Sequence, residues 1–103
     1  MKYPYAYEAF TQAISLMATS PETLNERIGN AYINHLLKLK SSDLPEEIRY
    51  RFESLSDKLT RVEPSGVEGR VMATLKRMSI GEAIEVAQEI LSMAAIVKSR
   101  NWE

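Results

Sequence analysis

Apolar residues recur at steps of three and four along most of the chain, a spacing that places them on one face of an α-helix. The pattern predicts helices over residues 5–19, 21–40, from a cap at residue 43 to about 61, about 68–78, and 80–100. No useful length of sequence alternates apolar and polar residues as a half-buried strand would. Because the connections are short, neighbouring helices are expected to run antiparallel. We therefore predict an all-α fold, a compact bundle of four or five helices in a single domain spanning residues 1–103.

Two predicted helices begin with the spacing of a capping box. Asp43 can accept a hydrogen bond from a free backbone N–H, and Glu46, three residues on, can reach back to the N–H of the cap. Ser79 and Glu82 repeat this arrangement at the start of the last helix. The sequence therefore predicts helix N-termini at both places.

The second helix is expected to begin at residues 20–22. Ser20 can cap it, Pro21 suits the first helical position, and Glu22 favours the positive end of the helix dipole. Residues 62–69, which hold one proline and two of the four glycines, are expected to form the main loop.

The spacing of apolar residues predicts which side of the third helix and of the last helix faces the core. The predicted inner residues of the third helix are Ile48, Phe52, Leu55 and Leu59. Those predicted for the last helix are Ile84, Ala87, Leu91 and Ala94. The second half of the last helix, residues 90–97, is nevertheless apolar nearly all round, and such a helix is normally enclosed on every side. It is either the central helix of the bundle, or a second copy covers Met93, Ile96 and Val97.

The N-terminal segment carries three tyrosines, Tyr3, Tyr5 and Tyr7. Tyrosine is enriched at the energetically important centres of protein interfaces, so these residues are candidate contacts with a partner. The alternative is that the aromatic rings hold the terminus onto the bundle.

Composition narrows the possible functions. The chain has 103 residues, a formal net charge of −1 and no cysteine, so disulfides and thiolate chemistry are excluded. It also lacks the long uncharged apolar run of a membrane-spanning helix and the apolar segment of a secretory signal. We therefore predict a cytoplasmic location without membrane association.

The candidate catalytic and metal-binding groups are few. His35 is the only histidine, and no Glu-x-x-His, His-Glu-x-x-His or Asp-x-Asp-x-Asp spacing occurs. The glycines of residues 64–69 lack the lysine of a phosphate-binding loop. We predict no cofactor and no enzymatic activity; an enzyme whose site forms around His35 at an interface is the third hypothesis.

A nucleic-acid-associated regulator is the main alternative function. Arg49, Arg51, Arg70 and Arg77 are its candidate contacts. Acidic residues are interleaved with the first two, however, which favours a solvated face with ion pairs over a nucleic-acid footprint.

Three segments resemble a group of small bacterial all-helical proteins of about this length, to which no activity is assigned. They are Glu26-Arg27-Ile28 with Ala31-Tyr32, Asp43-Leu44-Pro45-Glu46, and Glu68-Gly69 with Ala73-Thr74-Leu75, Met78-Ser79 and Glu82-Ala83. The resemblance implies a bacterial, cytoplasmic protein and transfers no functional residue. The favoured hypothesis is therefore a non-enzymatic interaction module that forms a homodimer through its last helix and binds an unknown protein.

Overall fold

The computed structural model describes residues 1–63 and 67–103, apart from the side chain of Glu68, and confirms the all-α prediction. Five α-helices lie in the described residues: α1 (Pro4–Thr19), α2 (Leu24–Ala31), α3 (Glu46–Leu59), α4 (Val67–Arg77) and α5 (Ile80–Arg100). A π-helical segment, Tyr32–Leu36, continues α2, and a short 3-10 turn, Ser41–Asp43, precedes α3.

Contacts between helix ends show that neighbouring helices run antiparallel. The backbone N–H of Tyr3 donates to Oδ1 of Asn101 at 2.7 Å, so the start of α1 meets the end of α5. The side chain of Asn25, near the start of α2, donates to the carbonyls of Leu75 and Met78 at the end of α4. The two bonds from Asn25 supply donors to backbone carbonyls at the C-terminal end of α4, where intrahelical N–H partners run out.

The core prediction for α3 is confirmed. Ile48, Phe52, Leu55 and Leu59 are all buried, and the rings of Phe52 and Phe10 meet edge to face at a centroid distance of 6.3 Å. Apart from the exposed Tyr50, polar residues cover the rest of α3, so only one rotation of this helix about its axis buries its apolar face.

The inward face predicted for α5 is wrong. The structure buries a neighbouring set of residues: Ala83, Val86, Ile90, Met93 and Val97. Ile84 and Leu91, two of the residues predicted to face inward, remain 44% and 48% exposed. The sequence pattern could not distinguish the two faces because both carry apolar residues at helical spacing.

The predicted start of the second helix is also corrected. Pro21 lies outside the helix, and Thr23 is the N-cap, whose side-chain oxygen accepts from the backbone N–H of Glu26. Thr23 and Glu26 have the spacing of a capping box, so the sequence held a second start signal three residues after Ser20.

The predicted cap of α3 is wrong for a steric reason. Asp43 instead accepts from the backbone N–H of Lys40 at 2.8 Å, within the 3-10 turn. Leu44 precedes Pro45, and the proline ring disfavours helical backbone at the residue before it. Leu44 is accordingly extended, and α3 begins only after Pro45.

The π-helical segment positions a buried tyrosine. The N–H of Leu37 donates to the carbonyl of Tyr32 at 2.8 Å, a bond across five residues. The Tyr32 hydroxyl in turn donates to Oγ of Ser56 on α3 at 2.8 Å. Burial raises the pKa of Tyr32, so the hydroxyl stays protonated and can donate this bond well above neutral pH.

Helices α4 and α5 are separate, as the sequence pattern predicts. Residues 67–77 form a helix of their own, and the Ser79–Glu82 capping box that begins α5 is confirmed. The loop predicted for residues 62–69 is shortened by α4, and its centre, residues 64–66, lies outside the described residues. In the part of the chain that the structure describes, no helix is both long and apolar enough to cross a lipid bilayer.

Candidate interaction surface

A line of exposed apolar side chains follows the outer side of α5. Its members are Ile80 (62% exposed), Ile84 (44%), Leu91 (48%) and Trp102 (68%), which we call the α5 stripe. At 3.6 residues per turn, the first three lie within about 40° of one another around the helix axis. Trp102 continues the line because Asn101, the C-cap residue before it, still has helical backbone angles.

The stripe borders a shallow groove between α1 and α5. The groove encloses about 350 Å³. Its walls include Tyr7 and Ile14 from α1 and Leu91, Ala95 and Lys98 from α5. Tyr7 is half-buried here, whereas the charged end of Lys98 lies at an exposed position. Leu91 belongs to both the groove and the stripe, so the two are adjacent on the surface.

The interface residues predicted on α5 require correction. Met93 and Val97 are 0% exposed within a single chain, so they belong to the intramolecular core and cannot contact a partner in this conformation. Ile96 is half-buried against that core. The available apolar surface of α5 lies instead at Ile84 and Leu91, which the sequence pattern had assigned to the core.

The three N-terminal tyrosines have different environments. Tyr3 and Tyr7 pack partly against the core, as expected of rings that hold the terminus onto the bundle. Tyr5 is 72% exposed and lines a second groove of about 470 Å³ with Glu8, Lys38 and other residues of mixed charge. Only Tyr7 adjoins the α5 stripe, so the structure does not bring the three rings together on one surface.

Two of the candidate nucleic-acid contacts are engaged within the protein. Arg51 donates two hydrogen bonds to the carboxylate of Glu89 on α5, from Nε at 3.0 Å and Nη2 at 2.7 Å, and a third to Oγ of Ser92. The Nε of Arg49 donates to the carbonyl of Leu44 at 3.1 Å. These bonds hold both guanidinium groups against the protein surface.

The other two arginines lie on α4. Arg70 pairs with Glu63 at 3.3 Å, whereas Arg77 is exposed and lines a small depression with Lys58, Arg61 and Glu82. This arrangement does not test nucleic-acid binding, which stays a prediction.

Ion pairs connect α3 with the side of α5 that faces away from the stripe. Besides Arg51–Glu89, the guanidinium of Arg100 binds the carboxylate of Glu47 on α3 and that of Glu103. Hydrogen bonds from Arg51 lower the pKa of Glu89, and those from Arg100 lower the pKa of Glu47. Glu47 and Arg51 lie one turn apart on α3, but each side chain binds a residue of α5. These bonds lie on the α3 side of α5, whereas the stripe lies on the outer side, beside α1.

His35 lies in the π-helical segment and is half-buried. Within residues 1–63 and 67–103, no group of three or more histidine, aspartate or glutamate side chains is placed to hold a metal ion. The hypothesis of an enzyme built around His35 at an interface is untested by these positions and stays a prediction.

Comparison with protein-family models, curated proteins and solved structures finds no match to this chain. The resemblance to small bacterial helical proteins therefore stays a prediction as well. The surface features above are the basis for a functional proposal.

Proposed function

We propose that this protein is a non-enzymatic interaction module that forms a homodimer through the outer side of α5 and, as a dimer, binds another protein. The observation that carries the proposal is the α5 stripe. Ile80, Ile84, Leu91 and Trp102 are four of the eight large apolar side chains exposed among the described residues, and they share one line.

The arrangement of these residues matters more than their number. Isolated exposed apolar residues are normal on protein surfaces, whereas a continuous apolar strip marks a contact surface. The groove beside Leu91 widens the strip with Tyr7 and Ile14 of α1. A second copy fits this surface because a two-fold interface places the same patch of both subunits in contact, and an apolar strip can cover its own counterpart.

Charge around the stripe is compatible with self-association. Lys98 is the one charged residue among those that line the groove in the described structure. Its four-carbon stem can cover apolar surface while its ammonium group stays in water. The acidic residues Glu85 and Glu89 lie on the other side of α5, toward α3, and thus stay away from the proposed contact.

The proposal is tested by measuring molecular mass against concentration, by sedimentation equilibrium, for the wild type and two variants. Leu91→Glu places a charge in the middle of the stripe and should give a folded monomer. Tyr50→Glu is the matched control, because Tyr50 is 79% exposed on α3, away from the stripe, and its replacement should leave the dimer intact. A wild type that stays monomeric at hundreds of micromolar, or equal dissociation of both variants, would refute the homodimer.

Binding of a further protein is supported only by the additional apolar surface of the groove. Affinity capture from the native host, with Leu91→Glu as a parallel bait and nuclease added, tests it. A stoichiometric protein that survives nuclease and is lost with Leu91→Glu is the expected result. Enrichment that disappears with nuclease would favour the nucleic-acid hypothesis instead.

We also propose a bacterial, cytoplasmic setting, which rests on the resemblance and on the composition of the sequence. Fractionation of the host cells should recover the protein with the cytoplasmic fraction. Recovery with membranes or with the exported proteins would contradict this location.

A further inference from the structure

The α5 stripe is arranged symmetrically about its centre. Ile80 and Trp102 each lie eleven residues from Leu91, on opposite sides, and Ile84 and Lys98 each lie seven residues from it. Seven residues correspond to nearly two helical turns and eleven to about three, so all of these positions return to the same side of the helix. The spacing of these positions, although not their chemistry, is therefore the same in both directions from Leu91.

We infer that two copies pair with their α5 helices antiparallel, with the two-fold axis passing beside Leu91. This inference rests on the homodimer proposed above and specifies its geometry. Leu91 then contacts Leu91 of the partner subunit. Ile80 at one end lies against Trp102 of the partner subunit, and Ile84 lies against the stem of the partner's Lys98.

Small residues beside the stripe permit the two helices to approach closely. Ala87, Ala94 and Ala95 flank Leu91, one turn away on either side. Packed helices approach to between about 8 and 10 Å when the side chains at the contact allow it. The Leu91 side chain of each subunit can then insert between the alanines of the other.

Electrostatics favours the antiparallel arrangement over the parallel one. A parallel pair would place Lys98 beside Lys98 of the partner subunit and would bring like ends of the two helix dipoles together. The antiparallel pair separates the two lysines. It also sets the N-terminal end of each α5 dipole beside the C-terminal end of the other, an arrangement in which the two dipoles attract.

The contact is long and narrow. From Ile80 to Trp102 the stripe extends roughly 33 Å at about 1.5 Å per residue. A single helix pair with its flanking groove buries less than the roughly 800 Å² per partner of a standard stable interface. The dimer is therefore expected to dissociate on dilution, with the stripe exposed in the monomer.

Disulfide mapping tests the geometry, and the chain is suited to it because it contains no cysteine. A disulfide requires the two Cα atoms to lie within about 7 Å. The variant Leu91→Cys should form a disulfide-linked dimer on mild oxidation, since the two thiols meet at the two-fold axis. The variants Ile84→Cys and Lys98→Cys should not crosslink alone, because like thiols are then roughly 21 Å apart along the axis. Mixed together, they should form the disulfide between unlike chains.

The reference for random collision is Tyr50→Cys, an exposed position away from the stripe. Leu91→Cys should crosslink at least about tenfold faster than this reference, because association raises the effective concentration of the thiols from micromolar toward millimolar. Self-crosslinking of Ile84→Cys and of Lys98→Cys would show a parallel pair and overturn the inference. Circular dichroism of each reduced variant verifies that the helices are intact.

Failure of the geometry and failure of the dimer are distinguishable. If sedimentation shows a dimer but Leu91→Cys crosslinks no faster than Tyr50→Cys, the antiparallel pairing is wrong and the proposed homodimer stands. If the wild type is monomeric at hundreds of micromolar, both are wrong.

Discussion

Helices α3 and α5 carry apolar residues at the same helical spacing, but they differ in how many faces carry them. In α3, the four apolar positions from Ile48 to Leu59 form one face, and apart from the single exposed Tyr50, polar residues occupy the rest. In α5, the inner residues such as Met93 are buried, and a second apolar line through Leu91 remains exposed. One apolar face accounts for folding alone. A second apolar face on the same helix is surplus to the core and is therefore available for contact with another molecule.

The largest difference in the free energy of unfolding is expected between substitutions on the two faces of α5. Met93→Ala should lower the free energy of unfolding by about 2–5 kcal/mol, because it leaves a cavity in the core. Leu91→Ala should change the stability of the monomer by only about 0.5 kcal/mol, since the side chain is half exposed. Chemical denaturation at a concentration below the dimer dissociation constant measures both. Equal losses for the two variants would mean that α5 has no outward apolar face in solution.

A smaller difference in stability is expected between substitutions at the starts of α3 and α5. Ser79→Ala should destabilise the protein by about 1 kcal/mol, because the Ser79 side chain accepts from the N–H of Glu82 at the first turn of α5. Asp43→Ala should cost about half of that or less, because Asp43 stabilises a 3-10 turn and does not cap α3. Thermal unfolding of both variants tests the difference. A larger loss for Asp43→Ala would restore Asp43 as the cap that its sequence position suggests.

The ion pair between the two helices provides the smallest effect, and it depends on pH. Glu89→Gln should lower the free energy of unfolding by about 0.5–1 kcal/mol at neutral pH, the range of a well-formed surface pair. Hydrogen bonds from Arg51 lower the pKa of Glu89 below its ordinary value of 4.5, so folding favours the charged carboxylate. The stabilisation that the Glu89–Arg51 pair gives is therefore fully present above about pH 4.5. It is lost as the pH falls through the lowered pKa of Glu89.

Denaturation curves of the wild type and Glu89→Gln at pH 7 and pH 3 check this dependence. Glu85→Gln, an exposed neighbour on the same helix, is the control and should change little at either pH. A difference between wild type and Glu89→Gln that persists undiminished at pH 3 would show that the carboxylate charge is not the cause.

The sequence predicts the helical elements better than their contacts. The bounds of α5 and its capping box follow directly from the spacing of Ser79 and Glu82, because these signals are local. The rotation of α5 about its axis does not, since apolar residues at Ile84 and Leu91 satisfy helical periodicity as well as those at Ile90 and Met93. Only the shape of the surrounding bundle decides which set is buried.

Local sequence signals also compete with one another. Asp43 has the spacing of a helix cap, but the proline two residues later keeps Leu44 extended and delays α3. The partner of Arg51 was likewise ambiguous: Glu47 lies one turn away on the same helix, whereas the ion pair forms with Glu89 of another. Of the interface residues predicted on α5, Met93 and Val97 are buried in the core, whereas the exposed large apolar side chains of this helix are Ile80, Ile84 and Leu91.

The position of Trp102 has a consequence for spectroscopy. It is the only tryptophan in the chain, and it lies at the exposed end of the α5 stripe. Its indole is hydrated both in the folded monomer and in the unfolded chain, so intrinsic fluorescence should respond weakly to denaturation. If Ile80 of a second copy covers the ring, its emission should shift to the blue as concentration rises. The protein thus contains a natural fluorophore that reports on assembly separately from folding.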